Sequence, residues 1–204
     1  PYESALQISE EDALDIPQMR PKANCVLDIA VILLPRISNF TDFEPLALDP
    51  GVNLRYVRQT KELGSPDLVI LPGTKATVSD LQYLRDNGFE ECLRSFVDGG
   101  GRLIGICGGF QMLGNKIIDR QSAESTCSEA EGLGFLSLET EFESEKVLKQ
   151  VTGVLDVCLF GERISGRIQA YEIHMGRTVA QKSYASFGEG GAVLVLPAQV
   201  VAEQ

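Results

Sequence analysis

Residues 102–114 read RLIGICGGFQMLG, and this stretch decides the fold. Its first part, 102–106, has the apolar content of a buried strand, and helix-like sequence follows Cys107. Gly105 and Gly109 flank the cysteine at the spacing of a nucleophile elbow, a sharp corner between a strand and a helix. Such a corner tolerates only small neighbours and lifts its central side chain out of the sheet. The stretch therefore predicts an α/β fold with Cys107 at the carboxyl end of a strand.

A cysteine at this corner has a chemical use. The helix that follows would direct its amino-terminal N–H groups at the sulfur, which favours the nucleophilic thiolate. A buried structural thiol is the alternative, because the chain has 20 glycines and the pattern is short. The remaining cysteines lack this setting and are interpreted as core or surface residues: Cys25, Cys92, Cys127 and Cys158.

The sequence before the elbow alternates strands with helices. Residues 77–98 place apolar side chains at helical spacing and predict two helices divided at Asn87-Gly88. With three earlier strand candidates, this alternation predicts a flavodoxin-like, doubly wound and mostly parallel sheet. After the elbow, strands without clear helices predict an antiparallel extension, and the polar segment Gln121–Glu131 predicts a loop. The strand candidates are 27–34, 53–58 and 67–71 before the elbow and 134–142, 147–159 and 164–173 after it.

Composition limits the classes of function. The chain has 204 residues, 44% of them hydrophobic, with 18 basic and 29 acidic side chains for a net charge of −11. This balance disfavours binding to nucleic acid or to an anionic membrane, and no stretch has the length of a membrane span. Five cysteines with no CxxC pair predict free thiols in a cytoplasmic protein. The chain has a single histidine, His174, and the sequence therefore does not predict a metal site.

Acyl transfer through a thiol also requires an oxyanion hole and a base. Gly108 would donate one backbone N–H, and Gly73, which follows the strand 67–71, would donate the other; the alternative for Gly73 is a simple turn. His174 and Glu172 are two apart on a strand and share a face, which would suit a base and its orienting carboxylate. A histidine that lines the substrate or supports the structure is the alternative.

Four stretches together resemble the class I glutamine amidotransferases, and within them the cobyric acid synthase branch. The resemblance covers about residues 26–178, whereas Ser183–Gln204 does not look like the ending of that family. The stretches are LLPRISNFTDFEPL (33–46), PDLVILPGTK (66–75), the elbow from 105 to 114 and YEIHMGRT (171–178).

The resemblance implies a role for each site residue. Cys107 would attack the side-chain amide of L-glutamine and release ammonia through a glutamyl thioester. Gly73 and Gly108 match the oxyanion-hole positions, Gln111 matches the glutamine that helps to hold the substrate, and His174 matches the glutamine-lining segment. The resemblance places the catalytic histidine further downstream, yet no histidine follows His174 here.

The resemblance also implies a domain organisation. Residues 1–24 would be the tail of an amino-terminal synthetase domain that is missing here, and residues 25–204 would be an amidotransferase domain, incomplete at its carboxyl end. The synthetase domain would use ATP and Mg²⁺ to amidate the corrin substrate, adenosylcobyrinic acid a,c-diamide, with the released ammonia. No cofactor is expected in the amidotransferase domain.

Two other functions compete with glutamine hydrolysis. The first is a catalytically silent α/β module that binds glutamine or a synthetase partner. The second is a redox-sensing thiol protein of similar fold, which would also carry a cysteine on an elbow. The redox function leaves the stretches 33–46 and 171–178 unexplained.

Overall fold

The apolar segments of the sequence form two main sheets and a long hairpin. The structure, a computed structural model, describes residues 25–120, 128–143, 147–159, 162–174, 176–180 and 193–196. Short 3₁₀ turns precede α1 and follow β2. In chain order the elements are β1 (Leu27–Ile32), α1 (Glu44–Leu48), β2 (Val52–Val57), β3 (Leu68–Leu71), α2 (Thr77–Asp86), α3 (Phe89–Asp98), β4 (Arg102–Ile106), α4 (Gly108–Met112), β5 (Lys116–Ile118), β6 (Glu129–Glu131), β7 (Leu138–Glu141), β8 (Val147–Leu159), β9 (Glu162–His174), β10 (Arg177–Ala180) and β11 (Val193–Leu196).

The first sheet has five strands in the order β2-β1-β3-β4-β11, and every neighbouring pair is parallel. This is the strand order of flavodoxin-like folds, in which ligands bind outside the carboxyl ends of the strands. The four residues from Ile29 to Ile32 are almost fully buried, as expected for a strand covered on both faces. The predicted fold class is confirmed.

Helices cover this sheet on both faces. On one face, α2 and α3 contribute Leu81, Leu84, Phe89 and Leu93 to the larger apolar cluster. On the other face, a smaller cluster gathers around Phe43, with partly buried residues of α1 packed against it. The two helices divide as predicted, because Gly88 takes a left-handed conformation with φ of 73°. No helix among the described residues is long and apolar enough to cross a membrane.

The second sheet, in the order β10-β7-β5-β6, and the β8–β9 hairpin form the predicted antiparallel extension, although β5 and β7 are parallel. The prediction of a loop over Gln121–Glu131 is wrong for its last three residues, which form β6. Ala130 packs toward the core there, while Glu129 meets Lys116 at 2.5 Å. One inward residue between two acidic ones is too short a pattern to predict a strand.

Several predictions lie outside the described residues. They concern the tail 1–24, the segment 121–127 with Cys127, and residues 183–192 and 197–204 of the final segment.

Candidate active site around Cys107

Cys107 occupies the corner that the sequence predicts. Its φ of 50° and ψ of −112° are rare for a residue with a side chain, and its side chain is exposed. Close backbone packing accounts for the flanking glycines. A Cβ on Gly105 would lie 2.7 Å from Phe110 Cα, and one on Gly109 would overlap the carbonyl oxygens of Leu71 and Pro72. The backbone of the corner therefore packs closely against the loop that follows β3.

That loop brings Gly73 to the nucleophile. A Cβ on Gly73 would lie 3.6 Å from Cys107 Cβ and 2.8 Å from Ser38 Oγ. The Gly73 carbonyl accepts a hydrogen bond from Ser38 N–H at 2.9 Å. Sequence reasoning assigned no role to Ser38, although it lies within the stretch 33–46 that carried the resemblance.

The structure also brings Gly108 against the same loop. A Cβ on Gly108 would lie 2.8 Å from Thr74 Cγ2 and 3.3 Å from Thr74 N. Cys107, Gly73 and Gly108 therefore meet at the carboxyl ends of β3 and β4. The helix that starts at Gly108 is only five residues long, so its dipole is weaker than the sequence argument assumed.

Asp80 is a buried acidic residue beside this site. Its side chain has an exposed fraction of 0% and accepts hydrogen bonds from Thr74 Oγ1 at 2.5 Å and from Arg36 N–H at 3.2 Å. Burial raises the pKa of Asp80, while the hydrogen bonds from Thr74 and Arg36 and the charge of Arg36 oppose this. Sequence reasoning missed Asp80; the signal was a charged residue on the buried stripe of α2, between Thr77 and Leu84.

Gln111 is more than nine-tenths buried in α4, next to the corner. Its backbone N–H bonds to the Cys107 carbonyl at 3.1 Å. Within the part of the chain that the structure describes, no side-chain hydrogen bond forms at its amide. Buried amides normally have partners, so Gln111 has bonding capacity left for a ligand.

The structure does not test the prediction for His174. His174 ends β9 and pairs with Val147, and Glu172 pairs with Lys149, so both keep the predicted two-residue spacing on one strand. The structure does not describe the positions of the His174 and Glu172 side chains. Among the described residues, no group of three His, Cys, Asp or Glu side chains could hold a metal ion.

Comparison with known proteins identifies the family. The profile of the CobB/CobQ-like glutamine amidotransferase domain matches residues 28–192. The chain belongs to this family. The match extends to residue 192, so the similarity continues beyond about residue 178 and into the segment Ser183–Gln204.

Curated relatives of this family member carry the name cobyric acid synthase. The protein of Listeria monocytogenes serotype 4b is 45% identical over 195 residues, which are 95% of this chain and 37% of the relative. That of Pelotomaculum thermopropionicum is 48% identical over 183 residues, 88% of this chain and 34% of the relative. The chain thus spans about a third of the length of these relatives.

Solved structures support the same fold. A glutamine amidotransferase crystal structure superimposes with a TM-score of 0.51 at 19% identity, covering 79% of this chain and 75% of its own. PurLQS from Thermotoga maritima superimposes with a TM-score of 0.55 at 20% identity, covering 76% of this chain and 70% of its own. These structures show the α/β fold, and the family match together with the names of the relatives disfavours the silent-module alternative.

Proposed function

We propose that this chain is the glutaminase domain of a cobyric acid synthase, with Cys107 as its catalytic cysteine. Family membership and the names of the relatives support the class of reaction. The observation that carries the proposal is the placement of Cys107, which is exposed at a corner with φ of 50° between the backbones of Gly73 and Gly108.

The reaction follows from these positions. The Cys107 sulfur forms a bond to the side-chain amide carbon of L-glutamine, and the N–H groups of Gly73 and Gly108 stabilise the negative charge on the oxygen. The carbon–nitrogen bond then breaks, and ammonia leaves with the proton that the thiol loses. Water hydrolyses the thioester to glutamate and restores the thiol.

Two further residues would bind glutamine. Gln111 has a buried amide without a described side-chain hydrogen bond, and His174 belongs to the segment 171–178 that resembles the glutamine-lining strand. The acid–base role stays unassigned within these residues, because the resemblance places that histidine downstream of His174.

The ammonia would serve a synthetase domain normally present in the same chain. The chain spans about a third of its relatives, which leaves ample length for such a domain in them. That domain would use ATP and Mg²⁺ to amidate adenosylcobyrinic acid a,c-diamide, while the amidotransferase domain needs no cofactor. Free thiols support a cytoplasmic location.

Ammonia release from glutamine tests this function in the full-length protein. Cys107→Ser should lower the rate by at least about 10³-fold, because the nucleophile is lost. Cys92→Ser is the matched control, since Cys92 lies on α3 away from the corner, and it should keep the wild-type rate. Equal loss in both variants, or full activity in Cys107→Ser, would overturn the proposal.

A labelling experiment separates the alternatives. A chloromethyl ketone analogue of glutamine should alkylate Cys107, and free glutamine should protect it. Alkylation without protection by glutamine would favour a redox thiol, whereas protection without ammonia release would favour the silent module.

A further inference from the structure

Asp80 joins two loops that come from different strands. Its Oδ2 accepts hydrogen bonds from the Arg36 backbone N–H at 3.2 Å and from Thr74 Oγ1 at 2.5 Å. Arg36 belongs to the loop after β1, and Thr74 belongs to the loop after β3. The Arg36 guanidinium adds an ion pair at 3.5 Å. One carboxyl group thus fixes two chain segments that are distant in sequence.

Thr74 extends this connection on the other side. Its hydroxyl lies 3.1 Å from the Arg36 carbonyl oxygen and accepts the Ala76 N–H at 3.1 Å. Lys75 N–H donates to the same Arg36 carbonyl at 3.0 Å. The loops also form an antiparallel bridge between Ile37 and Thr74. The loop that carries Gly73 is therefore bonded through its side chains and through its backbone.

The methyl group of Thr74 faces the nucleophile corner. A Cβ on Gly108 would lie 2.8 Å from Thr74 Cγ2, so this methyl packs directly on the Gly108 backbone. Thr74 is the residue after Gly73 and consequently contacts both proposed oxyanion donors. Its hydroxyl is held by Asp80 and its methyl sets the distance to Gly108.

We infer that Asp80 is a positioning residue that acts through Thr74 to fix the spacing of the Gly73 and Gly108 N–H groups around the substrate oxygen. This inference rests on the proposed glutaminase function. A carboxyl group with a fully buried side chain is costly for stability unless its bonds are satisfied. An apolar residue at this position of α2 would remove the side-chain bonds from α2 to both loops and leave the loops bonded only to each other. A small displacement of either donor would slow the chemical step more than binding.

Two reagents that react with Cys107 test whether the oxyanion donors are correctly positioned. The chloromethyl ketone analogue of glutamine develops an oxyanion as the sulfur adds to its carbonyl group, whereas iodoacetamide reacts by direct displacement and needs no oxyanion hole. The ratio of the two labelling rates therefore reports the oxyanion donors. Both rates are measured on one preparation of the full-length protein, so partial unfolding affects both reagents.

Three variants and one control define the test. Thr74→Val removes the hydroxyl but keeps the methyl group, and Asp80→Asn removes the charge; each should lower the ratio about 10-fold or more. Thr74→Ser keeps the hydroxyl but loses the methyl group that packs on Gly108, so its ratio should lie between those of Thr74→Val and wild type. Asp86→Asn is the same substitution at an exposed site on α2, where the side chain bonds only to Gln82 among the contacts described, and should leave the ratio unchanged.

Steady-state kinetics gives a second readout. In Thr74→Val and Asp80→Asn, kcat should fall about 10-fold or more while KM changes less than about threefold, because binding contacts remain. An unchanged labelling ratio in a folded Asp80→Asn or Thr74→Val would overturn the inference. If one of them does not fold, the other decides. A wild-type protein that does not react with the glutamine analogue would instead overturn the proposed function.

Discussion

The two ends of the parallel sheet each carry an arginine–carboxylate pair, and the pairs are built differently. At the amino end, Arg55 bonds Asp28 through Nε at 3.1 Å and Nη2 at 3.0 Å, and both side chains are partly exposed. At the carboxyl end, Arg36 is half exposed and reaches the fully buried Asp80 at 3.5 Å. Arg55 also donates to the carbonyls of Glu62 and Leu63.

The difference shows what each end holds in place. At the amino end the arginine has the most bonds, and these connect β1, β2 and the turn after β2. At the carboxyl end the carboxylate has the most bonds, and these connect two loops beside Cys107. Open α/β sheets bind ligands at the carboxyl ends of their strands. We therefore expect substitutions at the amino end to lower stability alone and those at the carboxyl end to change chemistry as well.

The largest expected effect comes from a substitution that disrupts the packing at the carboxyl end of the sheet. Gly109→Ala should lower the free energy of unfolding by about 3 kcal/mol or more, because its Cβ would overlap backbone oxygens after β3. Gly166→Ala is the control, since nothing lies within 4 Å of a Cβ there, and should change stability by less than about 0.5 kcal/mol. Urea denaturation measures both variants. Equal stability of the two would contradict the packing of the corner.

Next in size is loss of the arginine at the amino end. Arg55→Met should lower the free energy of unfolding by about 2 kcal/mol, since it removes the donor to two carbonyls and leaves the Asp28 carboxylate with the Asn53 amide as its remaining side-chain donor among the described contacts. It should leave the labelling ratio at Cys107 unchanged. Arg120→Met is the control, because Arg120 and Glu141 form an exposed pair at 3.6 Å worth at most about 0.5 kcal/mol. A changed labelling ratio in Arg55→Met would erase the distinction between the two ends.

The reactivities of Cys107 and Cys92 test whether the carboxyl end of the sheet exposes a reactive thiol. Iodoacetamide should label Cys107 at least about 10-fold faster than Cys92 at neutral pH. Cys107 is exposed at the carboxyl end, whereas burial raises the pKa of the half-buried Cys92 thiol on α3 and keeps it protonated. Peptide mass spectrometry after timed quenching measures both rates. Faster labelling of Cys92 would show that the corner does not present its sulfur to solvent.

The smallest expected effect concerns pH. Burial raises the folded-state pKa of Asp80, so the folded protein holds this proton more tightly than the unfolded chain does. The stability contribution is present below the unfolded-state pKa and is lost as the pH rises through the folded-state pKa. The free energy of unfolding of wild type minus that of Asp80→Asn should therefore fall across this window. Denaturation at a series of pH values measures it, and a difference that rises with pH would contradict the sign.

Local sequence signals predict most of the first sheet and the corner. The apolar runs of β1, β3 and β4 are long enough to identify, and Asn87-Gly88 marks the break between α2 and α3 because only glycine takes φ of 73° readily. The elbow is predictable because its glycines and its cysteine are adjacent in sequence.

Short and long-range features escape prediction. Strands β5 and β6 have three residues each, which is too few for a hydrophobic period, and β6 is recognisable only once it pairs with β5. The bonds of Asp80 reach back 44 residues to Arg36, so no local pattern contains them. The fold brings these residues together, and their role at the site follows only from that contact.

The position of β11 has a consequence during synthesis on the ribosome. β4, which ends beside Cys107, lies between β3 and β11, and β11 comes from much later in the chain. While the ribosome is still translating the second sheet and the hairpin, β4 has no neighbour on one side, and its backbone is open to pairing with other chains. A nascent chain stalled before Val193 therefore exposes an aggregation-prone edge next to Cys107.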